Sequence, residues 1–433
     1  MKKFIIALVI LAFVVLIPPY YIGSEAESMI RDQLAKTNQA GTMTVNLKSY
    51  SKGWFGSQAT FDFVIPVVDD NSQTEDIEFT LIQTMQHGPL LWNSGGLGFG
   101  LIDSKIDFEL PEDMKADIDK LTTIDKNTLT ITGRTDFDAS SKVDIDLKPF
   151  VIEEEDATIQ VNAGKGSYSY TMEGKVDGQM SWSGLQVKGK DGKKVNISDM
   201  TMKMDSQLIS GDIYSPAALF GGEFTMSLAQ IELVTGNPLE DFKMSELSAD
   251  VNTDVQPDLT QIKSKLVVKS VNAMAQDFTD IIYDFSIENI DTQVLKEFNS
   301  LVAQAQVNQP ADPTIMQNKL QAMLPKLVEK KPEIKINQLG MKTPQGEIAT
   351  NMMVKVNQDL YDANNPMSMI MALDAKAIGQ GPEAFFTGLG MGPMIDQLVS
   401  QNMLVRNQEL LSFEFVYQQG QALMNGSPMP LGM

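Results

Sequence analysis

The residues best suited to chemistry are few, and the first is a single histidine. The chain contains one histidine, His87, and no cysteine. A zinc site of the usual histidine and cysteine kind cannot be built from one histidine alone. A hydrolase could pair His87 with a serine, but the Gly-x-Ser-x-Gly turn that presents such a nucleophile is absent from the sequence. Because His87 precedes Gly88 and Pro89, we predict that it lies in the turn that ends a strand.

Three other motifs suggest ligand chemistry, and each lacks a required feature. Asp69-Asp70-Asn71 could begin a calcium loop, but the sixth position is not glycine and Thr80 would occupy the twelfth. Gly388-Leu-Gly-Met-Gly392 has no Lys-Ser or Lys-Thr pair for phosphate. Glu153–Asp156 is predicted to be a solvated turn. We therefore predict no catalytic, cofactor-binding or metal-binding residue, and we do not expect an enzyme.

The composition limits the classes of function further. The chain has 433 residues, a hydrophobic fraction of 43% and a net charge of −22. So acidic a chain repels phosphate backbones, which argues against nucleic acid as a partner. The hydrophobic fraction is ample for a core. Without cysteine there are no disulfides, so burial of apolar surface must supply the stability.

The first 22 residues predict the compartment. Lys2 and Lys3 precede an apolar run, Phe4–Ile17, and the apolar character continues to Ile22. This length approaches the roughly 20 residues that a membrane-spanning helix needs. The basic start and the small residues at Ser24 to Ala26 also fit a cleaved secretory signal. Both interpretations leave the N-terminus in the cytoplasm and export the rest; we favour the uncleaved anchor over residues 1–22.

Apolar residues continue beyond this segment at helical spacing. They fall at Ile22, Ala26, Met29, Ile30 and Leu34. This spacing predicts one face of an amphipathic helix. We therefore expect a helix to run from the membrane segment into the folded part of the chain.

Most of the remaining sequence alternates apolar and polar residues, as half-buried strands do. Gly189-Lys-Asp-Gly192 is a strong signal for a hairpin turn. The predicted strands are 42–50, 54–65, 77–85, 101–110, 128–138, 141–152, 158–161, 166–172, 174–182, 185–189, 195–205, 224–234, 244–255, 261–272, 280–290, 334–339, 347–356, 367–377, 409–417 and 421–424. This series predicts an α+β fold dominated by β-structure: long, curved antiparallel sheets with several packing helices, after an N-terminal membrane helix.

Helical spacing predicts four more helices, at 111–121, 292–307, 314–328 and 382–403. Asp291-Thr292 is a typical N-cap sequence, and Pro325 should end or kink the third of these helices. Residues 214–222 are predicted to be a loop or short helix. The order of strands, helices and a hairpin occurs twice, so we expect the exported region, 23–433, to form two lobes at about 23–245 and 246–433.

One set of residues carries a resemblance to a known family. It consists of Tyr50, Gly53, Trp54, Phe55, Ser57, His87, Gly88 and Pro89. Their order and spacing resemble the YdgA-like family of uncharacterised bacterial inner-membrane and periplasmic proteins, and the resemblance extends over nearly the whole chain. It implies an inner-membrane-anchored or periplasmic protein of a Gram-negative bacterium; with the favoured anchor, we expect a single-pass inner-membrane protein with most of the chain in the periplasm. It transfers no catalytic residue.

The physical interpretation of these motif residues is structural. Gly53 is expected to adopt a positive φ in the turn between two strands. Tyr50, Trp54 and Phe55 are expected to pack across the strands. Pro89 should end the strand beside it.

Three functions remain to be compared. The first is a non-enzymatic envelope protein, anchored through residues 4–22. In a sharper version of it, Met-rich strands and the segments 292–328 and 382–403 line an apolar groove for a lipid; we favour the version in which these helices only cap the core. The second is a scaffold that binds an envelope protein through the aromatic hairpin 50–57. The third and least favoured is a hydrolase that uses His87 or a pair of carboxylates.

Overall fold

The structure, a computed structural model, describes residues 18–39, 44–68, 74–92, 96–109, 127–153, 155–211, 218–308, 313–362, 365 and 367–429. Strands dominate these residues, with long antiparallel pairings and a few helices. The predicted α+β, β-dominated fold with a long antiparallel sheet is therefore confirmed. Strict alternation of apolar and polar residues is the reason, because it buries only one face of each strand.

The strands are numbered in chain order. They are β1 (Thr44–Lys52), β2 (Gly56–Val68), β3 (Thr74–His87), β4 (Leu90–Leu91), β5 (Gly98–Phe99), β6 (Ile102–Glu109), β7 (Leu129–Thr135), β8 (Ser141–Leu147), β9 (Phe150–Glu153), β10 (Ala157–Val161), β11 (Gly164–Tyr170), β12 (Lys175–Trp182), β13 (Leu185–Gly189), β14 (Lys194–Ser210), β15 (Leu219–Val234), β16 (Phe242–Val255), β17 (Leu259–Ala273), β18 (Gln276–Asp291), β19 (Glu333–Thr343), β20 (Gly346–Val356), β21 (Leu373–Pro382), β22 (Val405–Asn407), β23 (Leu410–Gln418), β24 (Gln421–Met424) and β25 (Ser427–Met429).

The helices in the described part of the chain are α1 (Pro18–Gln39), α2 (Thr292–Asn308), α3 (Pro313–Glu329), α4 (Ser368–Ala372), α5 (Glu383–Gly388) and α6 (Gly392–Ser400). A short 3₁₀ helix occupies Gln358–Leu360. The predicted N-cap is confirmed, because the Asp291 carboxylate accepts a hydrogen bond of 2.9 Å from the Val294 N–H. The predicted helix 111–121 lies outside the described residues.

The chain divides into two compact units. The first comprises Met1–Leu185, Lys203–Leu219 and Asn299–Ala311, and the second comprises Gln186–Met202, Phe220–Phe298 and Asp312–Met433. The predicted lobes, about 23–245 and 246–433, are continuous stretches, whereas each compact unit combines separate segments.

In the first unit the strands pair in the order β1, β2, β3, β6, β7, β8, β11, β12. Their registers place the β1–β2, β7–β8 and β11–β12 turns at one end of the strands. The connection from β3 to β6 reaches the same end. In the second unit the order is β15 to β21 in sequence, then β23, β24 and β25, apart from the intervening helices.

Helix α1 packs on the first unit through the predicted apolar positions. Ala26 is buried against Ala59 of β2 and Met85 of β3, and Ile30 packs beside them. Near the end of the helix, the Asn38 side chain accepts a hydrogen bond from the Val45 N–H and donates one to the Val45 carbonyl, both at 2.8 Å. The helical continuation predicted beyond residue 22 is confirmed.

The predicted membrane segment lies mainly outside the described residues. Residues 4–17 are not among them, and residues 18–22 begin α1. Among the helices that the structure describes, none combines the length and apolar character needed to cross a membrane. The N-terminal membrane helix is thus not supported by the described residues and stays a prediction.

Some predicted elements differ from the structure. Residues 367–377 were expected to be one strand, but Ser368–Ala372 form α4 before β21 begins at Leu373. The Ser368 hydroxyl accepts from the Asp362 N–H at 2.8 Å and donates to the Asp362 carbonyl at 2.9 Å. These local bonds compete with strand pairing, and alternation of apolar residues does not report them.

Three further differences concern breaks and boundaries. The expected helix 382–403 is two helices, α5 and α6, separated where Gly390 adopts a φ of 82°. Pro325 does not end α3, which continues to Glu329. Residues 219–222, expected in a loop, begin β15.

Candidate functional site

Three motif residues form a buried polar chain between the sheet and α1. Tyr50 lies on β1, Ser57 on β2 and His87 at the end of β3. Tyr50 Oη is 2.9 Å from Ser57 Oγ, which is 2.9 Å from His87 Nε2. Tyr50 Oη also donates to the Gly23 carbonyl in α1 at 2.7 Å. Because this carbonyl belongs to the helix, the buried polar chain joins three strands to α1.

The helix approaches this chain closely at Gly23. A Cβ atom at Gly23 would lie 2.3 Å from Cε1 of His87, a distance that real Cβ contacts do not reach. Glycine therefore allows the backbone of α1 to rest on the imidazole ring. The sequence contained no signal for this contact, because it depends on how α1 crosses β3.

Burial decides the protonation states of His87 and Tyr50 in the buried polar chain. It lowers the pKa of His87 below its usual value; the backbone carbonyls of Pro19 and Trp54 oppose this change, and the charge of Lys52 adds to it. Burial likewise raises the pKa of the Tyr50 hydroxyl, against the effect of Ser57. Both groups are consequently neutral at pH 7.

The Ser57–His87 distance is within the range of a nucleophile and its general base. However, Ser57 is 7% exposed and His87 1% exposed. Among the described residues, His87 Nδ1 has no hydrogen-bond partner of good geometry, so no carboxylate orients the ring. The described ranges also contain no cluster of acidic and histidine side chains that could hold a metal. This geometry favours fixation of α1 over presentation of a nucleophile.

The remaining motif residues shape the turns, with one difference from prediction. Gly53 does not have a positive φ; its N–H donates to the Gly56 carbonyl at 2.8 Å and closes the turn. Trp54 and Phe55 lie in that turn, between β1 and β2, and both are exposed. Gly88 is required by close approach, since a Cβ there would lie 1.7 Å from the Gly100 carbonyl oxygen.

A charged pair lies on the other face of the same sheet. Asp103 of β6 is fully buried and accepts a hydrogen bond of 2.7 Å from Arg134 of β7. Beside it, the Gln86 side chain accepts from the Trp92 N–H at 2.8 Å, which ties the β4–β5 hairpin to β3. Sequence reasoning missed this pair because its members are 31 residues apart.

Exposed aromatic residues lie at the end of the first unit's strands at which α1 begins. We call this surface the aromatic end; it consists of Tyr20, Tyr21, Trp54, Phe55, Trp92 and Phe99, all exposed. Tyr20 contacts both Tyr21 and Trp54, with ring centroids 6.2 and 5.3 Å apart. Lys52 Nζ lies 3.9 Å from the centre of the Tyr20 ring. Apart from Lys52, the side chains named here carry no charge.

The second unit carries a different apolar surface, formed by cross-strand rows on one side of its sheet. The registers align Phe224, Val251, Ser264, Phe285, Ile336, Met352, Ala377, Phe415 and Met424. The row on one side is Thr253, Ile262, Ile287, Ile334, Val354, Ala375, Tyr417, Ala422 and Met429. The row on the other side is Met226, Ala249, Leu266, Tyr283, Leu339, Thr350, Gly379 and Phe413. We call these three rows the apolar face.

The apolar face is only partly covered. None of its large side chains is among the buried residues, and Tyr283, Ile334 and Leu339 are exposed, Leu339 at 43%. The central row crosses nine strands, which corresponds to about 38 Å at a strand spacing of about 4.8 Å. Three rows at two-residue spacing add a width of about 14 Å.

The opposite side of this sheet is polar. Its central row contains Lys263, Ser286, Lys335, Met353 and Lys376. Salt bridges and solvent stabilise the charged side chains on this side. Lys335 Nζ lies 2.7 Å from a Glu288 carboxylate oxygen, and Lys376 Nζ lies 2.7 Å from a Glu414 carboxylate oxygen. Sequence alternation predicted which residues share a side of each strand, but only the registers bring them into continuous rows.

The chain belongs to a family of bacterial proteins of unknown function (DUF945), whose match spans residues 1–432. This confirms the predicted uncharacterised bacterial family; the narrower YdgA-like name stays a prediction. No curated protein and no solved structure shows significant similarity to the chain.

Proposed function

We propose that this protein is a membrane-anchored envelope protein that binds a lipid on the apolar face of its second unit and does no catalysis. Residues 4–22 would hold it in the inner membrane, with the rest in the periplasm. The apolar face is the observation that carries the proposal. Its three rows span on the order of 500 Å² of sheet by the strand spacings, and their large side chains are half-buried or exposed; exposed apolar patches of a few hundred Å² are often functional.

The dimensions of the apolar face suit an acyl chain. The hydrocarbon of one bilayer leaflet is about 15 Å deep, half of the usual core of about 30 Å. A surface about 38 Å long could therefore hold extended acyl chains along or across its rows. Side chains such as Met352, Phe285 and Leu339 offer no charge and no strong hydrogen-bonding group, so they would select for hydrocarbon and against a polar metabolite.

The alternative of a lid made only by the protein's own helices is less well supported. On α2 and α3, Phe298 and Leu320 are themselves exposed. These helices therefore leave apolar surface of their own uncovered. Of the predicted groove walls, the parts within the second unit, 292–298, 313–328 and 382–403, remain part of the proposal.

The experiment uses a purified chain that begins at Pro18, which keeps all of α1. Native mass spectrometry with lipid extraction should find a bound lipid, and a fluorescent fatty acid should compete for it. Met352→Glu places a charge on the apolar face, and the affinity should fall at least about tenfold, or 1.4 kcal/mol.

Met353→Glu is the matched control, because Met353 neighbours Met352 but faces the polar side of the sheet. Its affinity should stay within about twofold of the original. A chain without lipid that also ignores the fluorescent probe would refute the proposal. A lipid-free dimer would show instead that a second copy covers the apolar face.

A further inference from the structure

We propose that the aromatic end of the first unit is a membrane seat: a surface that lies in the headgroup layer of the bilayer and holds the unit against it. The inference rests on the anchor in the proposed function, but not on the lipid bound to the apolar face. It assigns a role to Tyr20, Tyr21, Trp54, Phe55, Trp92 and Phe99, which neither the buried polar chain nor the apolar face uses.

The first support is the position of the apolar run in the sequence, directly before α1. The apolar run Phe4–Ile17 immediately precedes Pro18, the first residue of α1. Tyr20 and Tyr21 follow within one helical turn and are exposed. If residues 4–17 lie in the bilayer, these tyrosines are at its surface, where amphipathic rings are enriched.

The second support is that the β1–β2 turn and the connection from β3 to β6 lie at the end of the strands where α1 begins. Tyr20 contacts Trp54 of the β1–β2 turn at 5.3 Å between ring centroids. The residues between His87 and Ile102 end at this end of the strands too, and this connection contains no charged residue. It exposes Trp92 and Phe99, with Trp92 55% exposed. A connection of this composition is unusual for a surface that faces only water.

The third support is the contrast in charge. The chain carries a net charge of −22, so most of its surface would be repelled by anionic headgroups. The aromatic end instead places Lys52 over Tyr20, and Lys52 also donates to Ser24 Oγ at 2.7 Å. A lysine beside aromatic rings suits the headgroup layer, where its ammonium group meets phosphate. Acidic residues return at Glu25, one helical turn beyond Tyr21 on α1, and at Asp136 and Asp138 in the β7–β8 turn.

A bilayer fits this surface better than a protein partner. The surface combines tryptophan, tyrosine and lysine directly beside a predicted membrane segment, which is the composition of an interfacial belt. A protein interface of the same size would gain specificity from charged or hydrogen-bonding groups around its rim, and here the uncharged connection 88–101 forms a large part of it.

The test uses the full chain in vesicles and the three tryptophans of the sequence as depth probes. Variants retain only Trp54, only Trp92 or only Trp182, with phenylalanine at the other two positions. The vesicles contain phosphatidylethanolamine and phosphatidylglycerol, with or without phosphatidylcholine brominated near the headgroup. Bromine should quench Trp54 and Trp92 by about half, since quenching requires contact with the interface.

Trp182 is the internal control. It pairs with Gly164, at the end of β12 that lies away from the aromatic end, and its fluorescence should not change. Equal quenching of all three residues, or none at Trp54 and Trp92, would overturn the membrane seat. If Trp54 is not quenched but crosslinks to another envelope protein, the aromatic end binds a protein partner, and this would also overturn the membrane seat. A chain that fails to float with vesicles would overturn the anchor and the seat together.

The two proposals fail separately. If bromine quenches Trp54 and Trp92 but Met352→Glu leaves fatty-acid affinity unchanged, the membrane seat stands and the lipid-binding function falls. If a lipid binds the apolar face but bromine does not quench Trp54 and Trp92, the lipid-binding function stands and the membrane seat falls.

Discussion

In the first unit, α1 is held on the sheet by Tyr50, Ser57 and His87. In the second unit, α2 begins beside two buried threonines. Thr292 Oγ1 donates to the Gln256 carbonyl at 2.8 Å and lies 3.0 Å from Thr260 Oγ1, while Asp291 caps the helix. Both attachments use buried hydroxyl groups, but only the first includes a ring that can take up a proton. The comparison indicates that acid should loosen one helix and leave the other in place.

The largest expected effect comes from closing the space above His87. Gly23→Ala should lower the unfolding free energy of the first unit by about 3 kcal/mol, because the new Cβ would overlap the imidazole ring. Urea unfolding, followed by hydrogen exchange of α1 amides, measures this change. Gly388→Ala in α5 is the control: open space surrounds that position, so alanine should stabilise by up to about 1 kcal/mol. Equal behaviour of the two variants would contradict the proposed contact.

A smaller effect should follow from removing one hydroxyl in each unit. Ser57→Ala would leave His87 Nε2 buried without its partner, at a cost of about 2 kcal/mol. In the second unit, Thr260→Val combined with Thr292→Val should cost less than about 1 kcal/mol, because both partners become apolar together. Thermal unfolding of the two proteins gives the ranking. A double variant less stable than Ser57→Ala would reverse the comparison.

The smallest effect is the dependence on pH. The folded pKa of His87 is lowered, so the unfolded chain takes up a proton first, near pH 6.5. Stability should therefore fall as pH drops below about 6.5, by at most about 1.4 kcal/mol per pH unit, until the folded pKa is reached. Chemical unfolding from pH 7.5 to pH 5.5 tests this. His87→Gln should flatten the profile over that range, and an unchanged slope would remove His87 from the explanation.

The sequence was informative wherever the relevant pattern is local. Alternation predicted the antiparallel, β-dominated fold and most strands, and helical spacing predicted α1, α2 and α3. It misled at α4, where the Ser368 hydroxyl binds the backbone of Asp362 and replaces strand pairing. Of the two outcomes expected at Pro325, an end or a kink, the structure excludes the end, since α3 continues to Glu329.

The candidate sites were harder to predict because they are assembled across the chain. His87 and Ser57 are 30 residues apart, and although both were motif residues, no local pattern indicated that they meet. The apolar face requires the registers of many strands, including the shift between Ile336 and Leu339 on β19. Alternation cannot supply such a shift, because one additional residue in a strand changes which side chains follow on each side.

The Asn38 side chain has a consequence for the aggregation of this protein at high concentration. Among the described strands, β1 pairs with β2 alone, so its outer edge offers free backbone groups to other molecules. The amide of Asn38 occupies both groups of Val45 as a neighbouring strand would. Helix α1 thus blocks the start of the edge against strand addition. A chain that lost α1 would expose an edge able to recruit further copies into aggregates.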